Sequence, residues 1–211
     1  MALKKGDFIE INYIAKTDDN KIFDLTDEKV AKERGIYNKK AKYGPIIICL
    51  GYRDIIPGLD EELIGKDIGK YDFKIPPEKG FGKKDTKLIR LVPTSLFTKE
   101  NIKPFPGLVL NMDNMIARII SVTGGRTMVD FNHPLSGKEL EYEVEINRRI
   151  TDTKEKLDSL LSLRLKDFKI KDEEDKIIIE TKLKQKEIQD LIIKEIKEKI
   201  MDIKKIEFMG V

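Results

Sequence analysis

The sequence predicts an α+β protein with more than one structural region. Three observations carry this. Several short segments alternate apolar and polar residues at period two, one long segment near the C-terminus repeats at helical spacing, and the segments are not interleaved as regular strand-helix-strand units. The chain has 211 residues, 40% hydrophobic and 37% charged, enough apolar content for a packed core. Lys and Arg total 41 against 38 Asp and Glu, a net charge of only +3, so the overall basic excess common in nucleic-acid binders is lacking.

The first strand falls at Asp7–Lys16, where Ile9, Ile11 and Tyr13 form one apolar face. Asp18, Asp19 and Asn20 make a turn, and Lys21–Asp24 returns as the second arm of a hairpin. Residues 26–44 are a Lys-rich excursion with a short helix expected near Asp27–Arg34. Pro45–Gly51 is a brief buried strand. Leu59–Ile64 is a short helix ended by Gly65, and Tyr71, Phe73 and Ile75 alternate until Pro76 and Pro77 stop the strand. Lys87–Pro93, Met112–Ser121 and Gly125–Asp130 read as strands, the last two joined at Gly124 and Gly125. Leu140–Ile146 alternates four apolar residues with three glutamates and is the clearest strand of the chain. Beyond Ile150, strands are expected at Asp167–Ile170, Lys176–Glu180 and Ile203–Phe208. A helix is expected over Gln185–Ile200, with Ile188, Leu191, Ile192, Ile196 and Ile200 on one face.

Composition removes many chemistries. The single cysteine, Cys49, allows no intramolecular disulfide, and with one histidine, His133, neither a Cys-rich nor a His-based metal site is expected. No P-loop, G-x-G-x-x-G or G-x-S-x-G motif occurs. No segment is apolar enough to span a bilayer and no signal-peptide pattern precedes the first strand, so the sequence-based expectation is a cytoplasmic protein without cofactor, metal or membrane partner. Lys39, Lys40, Ala41, Lys42 and the pair Lys83, Lys84 raise RNA binding as a further reading. Acidic residues are nearly as numerous, which favours a solvated charged surface.

The informative stretch is 51–82. It joins Ile55-Ile56-Pro57-Gly58-Leu59 to an aromatic loop, Pro76-Pro77-Glu78-Lys79-Gly80-Phe81-Gly82. If Tyr13, Phe23 and Asp24 of the hairpin meet it on one sheet, the result is an apolar pocket with one carboxylate and one phenol. Each of these aromatics, taken alone, also reads as ordinary core.

These pieces, with Leu50-Gly51, the run to Lys70, and Asp130 to Leu140, resemble FKBP-type peptidyl-prolyl cis-trans isomerases of the SlyD-like group, in order and spacing over residues 1–150. The resemblance implies an antiparallel half-barrel sheet around a short helix, with a small β-rich insert-in-flap domain and an additional C-terminal α/β domain. It implies domains at 1–84 with 132–152, at 85–131 and at 153–211. It implies proline isomerisation together with binding of unfolded chains; the alternative is a holdase with a vestigial isomerase pocket. The pocket residues implied are Tyr13, Phe23, Asp24, Ile55, Ile56, Leu59, Phe81 and Tyr142, with Ile46 beside them. Leu59 stands where many members have Trp, and Phe81 where Tyr is common. For the insert, most apolar residues are expected in its core and a minority in a client groove. Leu88, Leu91, Phe97, Leu108, Met112 and Met115 are the candidates, the methionines because flexible thioethers suit promiscuous surfaces. The His- and Cys-rich metal tail of SlyD has no match, so no nickel role is expected. Unfolded or proline-containing polypeptides are the implied partners. The amphipathic C-terminal helix leaves ordinary packing and a homodimer both open.

Overall fold

The computed structural model describes residues 2–112, 115–201 and 203–210. Two compact units emerge: one runs up to Lys74 and resumes at Glu141, and the other is Ile75–Leu140. The molecule is α+β, with several antiparallel sheets.

In the first unit, β1 (Phe8–Thr17) is the organising strand. It pairs antiparallel with β2 (Ile22–Leu25) through Ile14–Lys16 and with β3 (Ile46–Cys49) through Phe8–Ile11. These partners use different stretches of β1, which leaves its other edge for β9 (Leu140–Ile150), and β4 (Gly69–Ile75) lies beyond β9. The turn between β1 and β2 places Asn20 at φ 59°, a left-handed conformation that Asn tolerates. β9 shows the alternation expected of it, with Leu140, Tyr142, Val144 and Ile146 buried and Glu143 and Glu145 exposed. Helix α1 (Glu28–Glu33) starts at Asp27, whose carboxylate accepts the Lys29 and Val30 amides at 2.8 and 3.2 Å. Helix α2 (Pro57–Leu63) starts two residues before the expected Leu59, because Pro suits the first helical position, where no amide partner is needed.

The C-terminal segment shares a core with this sheet. Helix α4 (Thr153–Ser162) is capped by Asp152, which accepts the Glu155 amide at 2.7 Å. Strands β10 (Phe168–Asp172), β11 (Lys176–Thr181) and β12 (Lys205–Gly210) form a three-stranded sheet in the order β10-β11-β12. β11 and β12 run parallel, joined through helix α5 (Lys186–Lys199). Leu157, Leu160, Leu161, Ile177, Ile179, Ile192, Ile196, Ile200 and Ile206 bury together with Phe8, Cys49 and Ile150.

This shared core corrects three expectations. The parity of Ile9, Ile11 and Tyr13 put Phe8 on the polar side of β1, yet Phe8 and Ile9 are both buried, because a second layer covers the face where Phe8 lies. Residues 153–162 are a helix where charge density alone gave no element. On α5, Ile192, Ile196 and Ile200 are core, but Ile188 and Leu191 are exposed; the helix buries a narrower stripe than its apolar residues outline.

The second unit is a four-stranded sheet, β5-β8-β7-β6, with antiparallel neighbours. Its strands are β5 (Ile89–Pro93), β6 (Val109–Met112), β7 (Met115–Thr123) and β8 (Arg126–Asp130). Gly124 and Gly125, at φ 57° and 72°, make the turn between β7 and β8 that the sequence predicts. Strand β6 and helix α3 (Thr94–Lys99) are additions that short, weakly periodic segments did not reveal.

Candidate active site

The site begins with the register of β1 and β2. Ala15 lies opposite Asp24, so Tyr13, two residues back on the same face, is the diagonal neighbour of Asp24. The Tyr13 hydroxyl donates to Asp24 Oδ2 at 2.7 Å, and Asp24 Oδ1 accepts the Leu25 amide at 2.9 Å. Both carboxylate oxygens are thereby oriented. The Tyr13 ring lies 6.0 Å from that of Tyr142, and Phe23 meets Tyr142 edge-on, at 6.1 Å and 82°. Tyr13, Phe23, Asp24 and Tyr142 are thus joined by direct contact. Burial, reinforced by the bond to Asp24, raises the pKa of the Tyr13 phenol well above its usual range; burial and the nearby Asp24 charge do the same for Tyr142. Both phenols therefore keep their protons, and Tyr13 remains a donor.

Ile55 and Ile56 lie in the connection that enters α2, and Leu59 is buried on α2 itself. Ile56 is the last extended residue before the helix, with φ −58° and ψ 142°. Ile46 opens β3, opposite Ile11. Two carboxylates that the sequence reading passed over hold this connection. Asp60, buried in the first turn of α2, accepts the Gly51 amide at 2.8 Å and the Arg53 amide at 3.0 Å. An acid in a helix's first turn was the signal available for it. Asp54 accepts the Cys49 amide at 2.9 Å and the Lys199 ammonium at 2.5 Å. Lys199 comes from α5, 145 residues along the chain, and no local pattern announces it. The Cys49 thiol is pushed up to about 12 by burial and the Asp54 charge, so it is an inert core group.

Phe81 belongs to the second unit, where its ring stacks on His133 at 4.4 Å and 6°. His133 also accepts the Leu135 amide at its Nδ1, 3.2 Å away, as a turn residue does. Among the insert candidates, Leu91 and Met115 are exposed and Leu88 is half-buried. Phe97 departs from the client-groove expectation: it is buried with Ala117, Ile119 and Val129, because α3 carries it onto the covered face of the sheet. Leu108 and Met112 pack against the same cluster. The opposite face presents Leu91, Val109, Ile116, Ile120 and Met128, of which Leu91 alone is among the client-groove candidates. Among the described residues no group of three or more His, Cys, Asp or Glu side chains is placed to hold a metal, and no helix is long and apolar enough to cross a membrane.

The structure thus brings an aromatic cluster and one oriented carboxylate together on an antiparallel sheet. Residues 90–135 match the family model described as FKBP26, IF domain. The short-type peptidyl-prolyl cis-trans isomerase of Methanocaldococcus jannaschii is 37% identical over 145 residues, covering 68% of this chain and 92% of that protein. The FKBP-type peptidyl-prolyl cis-trans isomerase SlyD of Aeromonas hydrophila is 32% identical over 116 residues, 54% of this chain and 55% of that protein. The FKBP-type 16 kDa isomerase of Escherichia coli is 29% identical over 107 residues, 48% of this chain and 72% of that protein. The chain belongs to the SlyD-like FKBP-type peptidyl-prolyl cis-trans isomerases and is an enzyme of that class.

Proposed function

We propose that the chain accelerates proline-limited folding by coupling an isomerase pocket, built on a sheet wrapped around α2, to a client-binding insert between residues 85 and 131. The Tyr13–Asp24 bond inside the Phe23–Tyr142 aromatic cluster carries the isomerase part of this reading.

The reaction needs no nucleophile. Rotation about the amide is opposed by about 18–20 kcal/mol of resonance and related cost. The two X–Pro isomers are nearly balanced, yet exchange takes roughly tens to hundreds of seconds. A catalyst need only bind the twisted amide better than either planar form. Twisting reduces charge separation between the carbonyl oxygen and the nitrogen. An apolar lining from Phe23, Ile55, Ile56, Leu59 and Tyr142 withdraws water and favours that less polar state. Asp24, aimed by Tyr13 and by the Leu25 amide, sets its negative charge beside the carbonyl carbon of the residue before proline. The backbone N–H of Ile56 docks the substrate chain, and the bonds from Asp54 and Asp60 hold the connection from which it projects.

The chaperone part of the reading is supported by the uncovered sheet face of the insert. Leu91 on β5, Val109 on β6, and Ile116 and Ile120 on β7 stand exposed on one side of the sheet, with Met128 of β8 between β5 and β7, an apolar surface suited to an unfolded segment.

Isomerisation of a short X–Pro peptide and refolding of a proline-limited protein, measured side by side, test both parts. Asp24→Ala is expected to lower both rates while aggregation of an unfolded client stays suppressed. Ile116→Lys with Ile120→Lys is expected to spare the peptide reaction and remove the advantage in refolding. Suppressed aggregation with no isomerisation by the wild-type protein would favour the holdase reading.

A further inference from the structure

The segment that leads into α2 is tied to the C-terminal part of the chain as well as to its own helix. Between Cys49 and Ile56 the backbone takes two left-handed residues, Gly51 at φ 80° and Arg53 at φ 59°. A residue with a side chain keeps that conformation only where its surroundings over-determine it. Asp60 of α2 supplies part of the hold, through the Gly51 and Arg53 amides. The rest comes from the last turn of α5. The Lys199 ammonium donates to Asp54 Oδ1 at 2.5 Å, and the Tyr52 hydroxyl donates to the Glu198 carbonyl at 2.9 Å. Lys199 also stands 5.7 Å from the centre of the Tyr52 ring. Two residues of one short connection are thus bound to two consecutive residues of a distant helix.

Asp54 immediately precedes Ile55, so the position of its carboxylate fixes where the docking segment begins. Its Oδ2 accepts the Cys49 amide at the end of β3, which pins the carboxylate to the sheet on one side and to α5 on the other. Lys199 is itself aimed: Glu195, one turn earlier on α5, accepts from it and is gripped by Arg164. Both side chains of the Lys199–Asp54 pair are buried. A buried carboxylate that loses its cation is driven towards water. For Asp54 that movement carries Ile55 and the Ile56 amide with it.

We propose that Lys199 is a positioning residue for proline isomerisation: from α5 it holds Asp54, and through Asp54 the docking segment Ile55–Ile56, so that the C-terminal segment completes the isomerase site. Tyr52 makes a second, weaker tie to the same helix. The proposal rests on the reading that Ile55 and Ile56 line the pocket and dock the substrate. Lys199 touches no substrate and acts through the backbone geometry alone.

The test measures kcat/KM on a short X–Pro peptide, well below the thermal midpoint of every variant, together with the backbone amide resonances of Ile55 and Ile56. A misplacement of about 1 Å can cost up to about 100-fold, and with Asp60 still holding Gly51 and Arg53, Lys199→Met should lower kcat/KM by about tenfold. The two resonances should move with it, a change that loss of stability alone does not produce in a folded protein. Asp54→Asn combined with Lys199→Met leaves no buried charge to seek water and should regain most of the rate and wild-type-like resonances. Tyr52→Phe cuts one neutral hydrogen bond and should lower kcat/KM by about two- to threefold; it decides the matter should Lys199→Met fail to fold. Folded Lys199→Met with the wild-type rate, a rate loss without movement of the Ile55 and Ile56 resonances, or Tyr52→Phe without effect on either would overturn the proposal. Asp24→Ala is measured beside them. If it leaves the rate intact, the reading of the pocket fails, and the resonances judge the tie to α5 separately.

Discussion

Removing the ammonium of Lys199 should destabilise the protein more than a typical surface substitution. The side chains of Lys199 and Asp54 are each only 4% exposed, and their ion pair at 2.5 Å links α5 to the connection before Ile55. Lys199 also donates to Glu195 at 2.8 Å, and Glu195 is held by both arms of Arg164 at 3.0 Å. Burial pulls the Lys199 pKa down, but the bonds to Asp54 and Glu195 outweigh it and the net shift is upward, so Lys199 keeps its charge. Lys199→Met keeps the length and packing of the side chain and leaves the Asp54 carboxylate buried with the Cys49 amide as its remaining named partner. Breaking one side of a buried pair costs about 3–5 kcal/mol. The surviving amide bond and the Arg164–Glu195 contact place this case at about 3 kcal/mol. Asp54→Asn combined with Lys199→Met removes both charges and keeps an acceptor for Cys49, so it should cost about 1 kcal/mol, a coupling of about 2 kcal/mol or more. Chemical denaturation with an unchanged slope measures each variant, and thermal midpoints should follow at roughly 2–4 °C per kcal/mol for a chain of this size. A single variant within about 1 kcal/mol of wild type, or a double variant losing the sum of the two singles, would refute the reasoning.

Other outcomes follow from the same contacts. Tyr13→Phe deletes the donor to Asp24; a hydrogen bond to a charged group is worth about 1.5–3 kcal/mol of stability at most, so the denaturation midpoint should fall by no more than that, kcat should fall as Asp24 loses its orientation, and an unaltered kcat would count against the role of Asp24. Acid should weaken the fold. The Glu10 carboxyl is held below its ordinary range chiefly by the Arg148 hydrogen bond, and Glu195 is lowered because its bonds to Arg164 and Lys199 outweigh burial. A depressed folded pKa gives stability that is complete above the unfolded value, about 4.3, and is lost as pH falls through the folded one. The denaturation midpoint should therefore be level near neutrality and decline below about pH 4; a level midpoint down to about pH 3 would contradict this. Asp152→Ala removes the cap of α4 and should cost about 1 kcal/mol, read as a small shift in the thermal midpoint.

Much of the candidate site is readable in one dimension because it is built from period-two strands joined by tight turns. The spacing of Tyr13 and Asp24 across a turn at Asp18–Asn20 already makes them neighbours once the hairpin forms, and Tyr142 lies on the best-alternating strand of the chain. Helix α5 and the strands around it also fall close to where periodicity puts them. Helices α3 and α4 do not, because a helix with one buried residue, as in α3, or three, as in α4, leaves a stripe too narrow to separate from charged loop sequence. The insert shows the converse limit. Its apolar residues are visible in the sequence, but whether Phe97 or Ile116 is covered depends on which face α3 packs against.

Local spacing and residue type suffice for the hairpin, the exclusion of an intramolecular disulfide, and the family to which the chain belongs. Three features wait on packing between distant segments: Phe8 is buried, Lys199 meets Asp54 across 145 residues, and the 26–44 excursion folds against Phe23 to make a recess. The physical reason is that periodicity reports that a face will be covered. What covers it, and which charge must be matched there, is settled when distant segments pack and water leaves.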